Sequence, residues 1–235
     1  AFNSNMKLLK KIILKSNLIT NKYLYKRLIF LKSKKYKLQH IIFCSVVPKC
    51  YKKIKFFIKK KLNINCTELK ELKLDKLIKI KVNRKQIGSD RLSNAISVID
   101  NKNNYVIVDF GTATTFDVII KNNYLGGIIA PGVNLSLNTL ISKASLIPSL
   151  ALTSVNKVLG KNTKSAVKSG FYWGYAGLID NIIKKIINQT NNKYKIIFTG
   201  GLSNLFKKTI DAKVKIDREL TIKGLLKVIH LLKQK

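Results

Sequence analysis

Ten consecutive residues constrain this chain more than any others: Val108-Asp109-Phe110-Gly111-Thr112-Ala113-Thr114-Thr115-Phe116-Asp117. An apolar run, Tyr105 to Val108, reads as a strand that delivers a carboxylate at its end. Gly111 and a series of hydroxyls follow, and a second strand starts at Phe116. That order suits a turn meeting a metal-bound nucleotide phosphate. Asp109 can hold a cation, Gly111 lets a phosphate approach the backbone, and Thr112 to Thr115 offer hydroxyl and N–H donors. A third strand is expected around Gly126 to Ala130, broken by Pro131-Gly132, with a helix over Leu135 to Leu146. Asp117 is read as structural.

The flanking sequence reads as α/β. Strands are expected at Met6 to Leu14, Ile41 to Val47, Lys76 to Val82, Tyr194 to Phe198 and Val214 to Ile216. Helices are expected over Tyr23 to Lys37, from Pro48 to about Leu62, from Asn162 to about Ile187, and over Leu220 to Leu232. Pro48 suits a first helical turn, and Ile54, Phe57, Ile58 and Leu62 recur at helical spacing. Gly170 and Gly174, four apart, leave room for another backbone, that of a partner subunit or of a helix packed in the same chain. Gly88-Ser89-Asp90-Arg91 opens a further helix, with Ser89 or Asp90 as its N-cap.

With 235 residues and 46% apolar content the chain can bury a substantial core. No apolar run approaches the length that spans a bilayer. The formal charge of +35 invites a nucleic-acid reading. However, only four of the 46 basic residues are arginine: Arg27, Arg84, Arg91 and Arg218. Phosphate clamps and groove readers favour the arginine fork. The excess is lysine, together with Ile, Asn, Tyr and Phe, all residues of A/T-rich codons, so genome composition accounts for the whole set. Cys44, Cys50 and Cys66 show no CxxC spacing, and an odd count points to a reducing cytoplasm. All three are read as buried small apolar residues, and His40 and His230 as structural.

Chemistry concentrates at two places. A kinase acting on an alcohol needs a carboxylate to accept the hydroxyl proton and a cation to hold an anionic substrate, which arginine does bidentately. Asp90 and Arg91 supply both, although a plain N-cap beside a solvated arginine has the same sequence. Thr199-Gly200-Gly201 ends a strand where backbone N–H groups could meet an adenosine or its phosphate.

Taken together, Ser45-Val46-Val47-Pro48, Gly88-Ser89-Asp90-Arg91, Asp109 to Thr115, Gly126 to Gly132, Gly160-Lys161-Asn162-Thr163, Ser169-Gly170 and Thr199-Gly200-Gly201 resemble the type III pantothenate kinases in order and spacing. The resemblance implies an α/β fold of two ribonuclease-H-like domains of the acetate-kinase/sugar-kinase/actin superfamily, here 1–87 and 88–235, acting as a homodimer in the cytoplasm. It implies Asp90 as proton acceptor, with Gly88, Ser89, Asp90, Arg91 and Thr163 contacting pantothenate. Gly111, Thr112, Gly200 and Gly201 would contact ATP, and Asp109 a monovalent cation, potassium or ammonium, with Mg2+ accompanying the nucleotide. Neither a specific nucleic-acid partner nor a membrane is expected.

Two departures stand out. The family's opening Asp-x-Gly-Asn-Thr loop is not found. Phe2 to Leu9 resembles the turn and strand that follow it, so the N-terminal domain is expected to lack its first strand, through an incomplete N-terminus or through genuine loss. Lys81 stands where the family tends to place a tyrosine, and Arg84 replaces a frequent proline. The rival readings are an inactive or regulatory protein on the same scaffold and a lysine-rich nucleic-acid binder.

Overall fold

A computed structural model describes residues 20–28 and 41–233. The strand expected at Met6 to Leu14 and the second half of the helix expected over Tyr23 to Lys37 lie outside them. The chain forms two compact units that are not continuous in sequence. Among the described residues, the first comprises 20–28, 41–74, 86–97 and 221–233, and the second 75–85 and 98–220.

In the first unit, β1 (Ile41–Phe43) pairs in parallel with β2 (Cys66–Glu68), in register Ile41↔Cys66 to Phe43↔Glu68. Helix α1 (Asn21–Leu28) and helix α2 (Pro48–Leu62) pack with this pair, burying Leu24, Phe57 and Ile58 together with Cys66. Helix α2 starts at Pro48 and stops at Asn63, which takes the left-handed conformation at φ 55° and donates its N–H to Lys59 O at 3.0 Å. Helix α3 (Ser89–Val98) is lined by Leu92, Ala95 and Ile96, each 0% exposed.

The second unit is built on six strands. They are β3 (Lys79–Ile80), β4 (Asn104–Phe110), β5 (Ala113–Ile120), β6 (Asn123–Pro131), β7 (Lys195–Gly200) and β8 (Val214–Ile216), ordered β3-β6-β5-β4-β7-β8. Only β5 runs against its neighbours. Val106, Val108 and Phe110 of β4 face one core with Phe116, Phe198 and Phe206, and the long helix α5 (Thr163–Thr190) covers it through Tyr172, Ala176, Ile179 and Ile183. Helix α4 (Val133–Lys143) follows β6, and the short α6 (Ser203–Phe206) follows β7. The three-strand unit and following helix expected from the sequence are present, with β4 extended back to Asn104. Helix α7 (Leu220–Lys233) returns the chain to the first unit, where Thr221 O accepts from Ser93 Oγ at 2.7 Å.

Among the described residues no helix is long and apolar enough to cross a membrane. Cys66 is buried as expected, whereas Cys44 and Cys50 are only half-buried; all three are free thiols.

Candidate functional site

The residues singled out by the sequence fall into two groups, one on each unit.

In the first unit, the loop after β1, the end of β2 and the start of α3 meet. Neither Ser89 nor Asp90 is the N-cap: the helix starts at Ser89, and Gly88 precedes it with its carbonyl accepting from Leu92 N–H at 3.0 Å. Starting one residue early frees both side chains for other work. Ser89, 2% exposed, donates its hydroxyl hydrogen to Glu68 Oε1. Asp90 is half-buried, and its Oδ1 accepts from the Arg91 N–H at 2.7 Å. A carboxylate in the first turn of a helix is also favoured by the helix dipole. A Cβ at Gly88 would lie 2.6 Å from Asp90 Oδ1, so glycine there is what allows the carboxylate to sit against the chain. The same Cβ position lies 3.6 Å from Val46 Cγ1, of the Ser45 to Pro48 loop. Arg91 is half-buried.

Two members of this group carry no sequence signal. Glu68 is one. Cys44 is the other: its thiol is pushed up to about 12 by burial, and further by the charges of Asp90 and Glu68. It is a neutral S–H at physiological pH.

In the second unit, Asp109 sits near the end of β4 with Thr115 of β5 on one side and Thr199 of β7 on the other. It is half-buried, less enclosed than a strand-end position suggests. Gly200 is held at φ +85°, and a Cβ there would stand 2.5 Å from Phe110 O, 2.7 Å from Phe110 N and 2.8 Å from Asp109 Oδ1. Glycine is therefore required by the packing of β7 on β4, quite apart from any ligand. Gly201 donates its N–H to Phe110 O at 3.2 Å, which removes that N–H from the donors expected to meet a nucleotide.

Gly111 and Thr112 are both exposed at the β4–β5 turn, and Gly111 N–H is closed onto Ala113 O at 3.1 Å. The tight glycine here is Gly132, the N-cap of α4, which has no room for a Cβ against the carbonyl of Thr112. Thr114 is 0% exposed and its Oγ1 is buried without a hydrogen-bond partner, as is Thr115 Oγ1. Asp117 is fully buried and accepts from Tyr124 OH at 2.6 Å, which fits its structural reading.

Thr163 is the exposed first residue of α5. Asn162 caps that helix reciprocally with Ser165, the Asn162 side chain accepting from Ser165 N–H at 2.9 Å. Gly160 packs on the backbone of Ala166, and Ser169 Oγ donates to Val158 O, so the 158–162 loop lies folded on the first turns.

Among the described residues no group of three or more His, Cys, Asp and Glu could hold a metal ion. Asp109 offers a single carboxylate. That is one oxygen ligand for a cation and not a cage made by the protein alone.

A six-stranded mixed sheet with one reversed strand, whose central strands β4 and β5 carry an acid and a hydroxyl turn, and a first unit carrying an acid and an arginine at a helix start define a mixed α/β protein. Comparison with known proteins supplies the family. The model for type III pantothenate kinase matches residues 10–185. The type III pantothenate kinase of Pelagibacter ubique is 55% identical over 231 residues, 98% of this chain and 93% of that protein. That of Rhodospirillum rubrum is 45% identical over 147 residues, 62% of this chain and 57% of its own. This chain belongs to the type III pantothenate kinase family. Among solved structures, a conserved Baf family protein of Campylobacter jejuni shares the fold with a TM-score of 0.59 at 22% identity, over 86% of this chain and 87% of that one.

Proposed function

We infer that this protein is a kinase that phosphorylates pantothenate to 4'-phosphopantothenate with ATP, the first step of coenzyme A biosynthesis. Identity of 55% across 98% of the chain to a type III pantothenate kinase carries that reading.

The roles of individual residues follow from their chemistry. Asp90 accepts the proton of the primary alcohol as it attacks the terminal phosphate, its carboxylate held at Oδ1 by the Arg91 N–H. The Arg91 guanidinium holds the carboxylate of pantothenate, with Gly88, Ser89 and Thr163 lining the substrate. Gly111, Thr112, Gly200 and Gly201, which like Thr163 belong to the second unit, border the nucleotide. Asp109 contributes one oxygen to a monovalent cation, potassium or ammonium, and Mg2+ accompanies the ATP; such cations neutralise charge that builds on the phosphates during transfer.

The finer architecture, two ribonuclease-H-like domains of the acetate-kinase/sugar-kinase/actin superfamily, is supported by the sheet of the second unit, where only β5 is reversed. A homodimer is supported by open space above Gly170, Gly174 and Gly177 on α5, with Trp173 39% exposed among them, and by Leu135 and Leu140 exposed on α4. Three free thiols support a reducing cytoplasm.

The direct test follows product by mass spectrometry and ADP release with pantothenate as acceptor. Turnover by the wild-type chain that collapses in Asp90→Asn supports the assignment. An Asp90→Asn protein with undiminished turnover removes Asp90 from the chemistry.

A further inference from the structure

Glu68, the last residue of β2, belongs to no motif, yet both its carboxylate oxygens are engaged. Oε1 accepts the hydroxyl hydrogen of Ser89. Oε2 accepts the N–H of Lys70 at 2.6 Å. The Glu68 N–H is held in return by Glu71 Oε2 at 3.3 Å, which closes a capping box around the 3-10 turn Leu69–Glu71. Glu68 is also fixed from behind by its register opposite Phe43. It is therefore a rigidly mounted acceptor, aimed at the first turn of α3.

That turn needs an anchor. The bond that orients Asp90 comes from Arg91, its neighbour, and the bond from Leu92 N–H to Gly88 O is also internal to the turn. Both would travel with the turn if it shifted. Ser89 to Glu68 is a side-chain bond that ties the turn to a different element, 21 positions away in sequence. The rise in the Cys44 thiol, to which both Asp90 and Glu68 contribute, agrees with this placement.

We propose that Glu68 is a positioning residue for the phosphoryl acceptor site: by holding Ser89 it fixes the first turn of α3 and, with it, the direction in which Asp90 presents its carboxylate. This rests on Asp90 as the proton acceptor. Misplacing a catalytic group by about 1 Å costs on the order of a hundredfold in rate, so the anchor's loss is felt in turnover more than in folding.

The test measures kcat, KM for pantothenate, KM for ATP and Tm for the full chain and for Ser89→Ala, Glu68→Ala, Glu68→Gln, the Glu68→Ala/Ser89→Ala double variant and Asp90→Asn. Ser89→Ala and Glu68→Ala should each lower kcat/KM for pantothenate by roughly tenfold or more, with KM for ATP little changed. The double variant should be no worse than the poorer single one, because both remove the same bond. Glu68→Gln should recover most of the loss. Its carbonyl can serve Lys70 while the Ser89 hydroxyl turns to accept from the new amide. Ser89→Ala at wild-type kcat/KM overturns the proposal, as do additive losses in the double variant or a Glu68→Gln protein as impaired as Glu68→Ala. An inactive wild-type chain, or a fully active Asp90→Asn, overturns instead the reading of the reaction on which the proposal stands.

Discussion

Asp90 and Asp109 are presented by different means. Asp90 rides on the first turn of a helix, and side chains hold that helix in place: Ser89 on Glu68, Ser93 Oγ on Thr221 O at 2.7 Å, and Thr221 Oγ1 on Asn94 Oδ1 at 2.7 Å. Asp109 stands in a strand whose backbone is bonded on both flanks, to Thr115 and to Thr199. One carboxylate is aimed by side chains, the other by main chain. The first kind of mounting can be undone by removing a hydroxyl. The second tolerates side-chain changes but is intolerant wherever a glycine lets two backbones touch.

The largest effect that this contrast predicts is on turnover. Asp90→Asn should lower kcat by about 10²–10⁴ while the protein stays folded, the range expected for losing a proton acceptor; steady-state assays alongside a melting curve measure both. Next comes Gly200→Ala. A Cβ at φ +85°, 2.5 Å from Phe110 O, should cost roughly 2 kcal/mol or more in stability, read as a drop in the denaturant midpoint. Asp109→Asn should move that midpoint less than Gly200→Ala does and raise KM for ATP, since the backbone pairing of β4 with β5 and β7 is kept. If Asp109→Asn unfolds the protein as readily as Gly200→Ala does, main-chain mounting is the wrong description of that site.

Cys44 sharpens the other half of the contrast. Its thiol, ordinarily near 9.0, is raised to about 12 by burial first and by Asp90 and Glu68 next. The unfolded chain ionises this thiol first, so its contribution to stability is complete below pH 9.0 and is lost as pH climbs toward about 12. Alkylation of Cys44 followed by mass spectrometry should be slow at pH 8 and keep accelerating past pH 10. In Asp90→Asn the same rise should come at lower pH, because one of the charges opposing the thiolate is gone. An unmoved profile would mean that Asp90 does not reach Cys44. The smallest effect belongs to Lys184, held by Asp180 at 2.5 Å and Asp211 at 2.9 Å on the exposed side of α5. These carboxylates hold its ammonium above its usual range, so any contribution is present below the ordinary lysine value and fades only in strong alkali. Asp211→Asn should shift Tm barely at all, and not detectably in high salt.

Much of the second unit was legible in the sequence because its signals are local. The apolar run before Asp109, the glycine-and-hydroxyl turn and the Asn162 start of α5 each declare themselves within a few residues, and β8 falls on Val214–Ile216 as expected. Pro48 likewise marks α2 to the residue. What sequence reading missed depends on contacts between distant positions. Glu68 looks like any charged residue until β2 brings it to Ser89. Gly132 looks like a helix breaker until Thr112 O packs on it. The helix starts at Ser89 itself, and the Ser89 side chain is bonded to Glu68, outside its own helix. The expected nucleotide donors at Thr199 to Gly201 were partly taken by Phe110 O, which no local pattern reveals.

Helix α7 has a consequence in time. Gly224 lies so close to Ser93 that no Cβ fits between them, and Thr221 is bonded to Ser93 and Asn94. More than 120 residues must leave the ribosome after Ser93 before this partner exists. The helix that bears Asp90 is thus synthesised early and seated late. A nascent chain stalled before Thr221 should carry every residue assigned to the acceptor site and still be unable to use them.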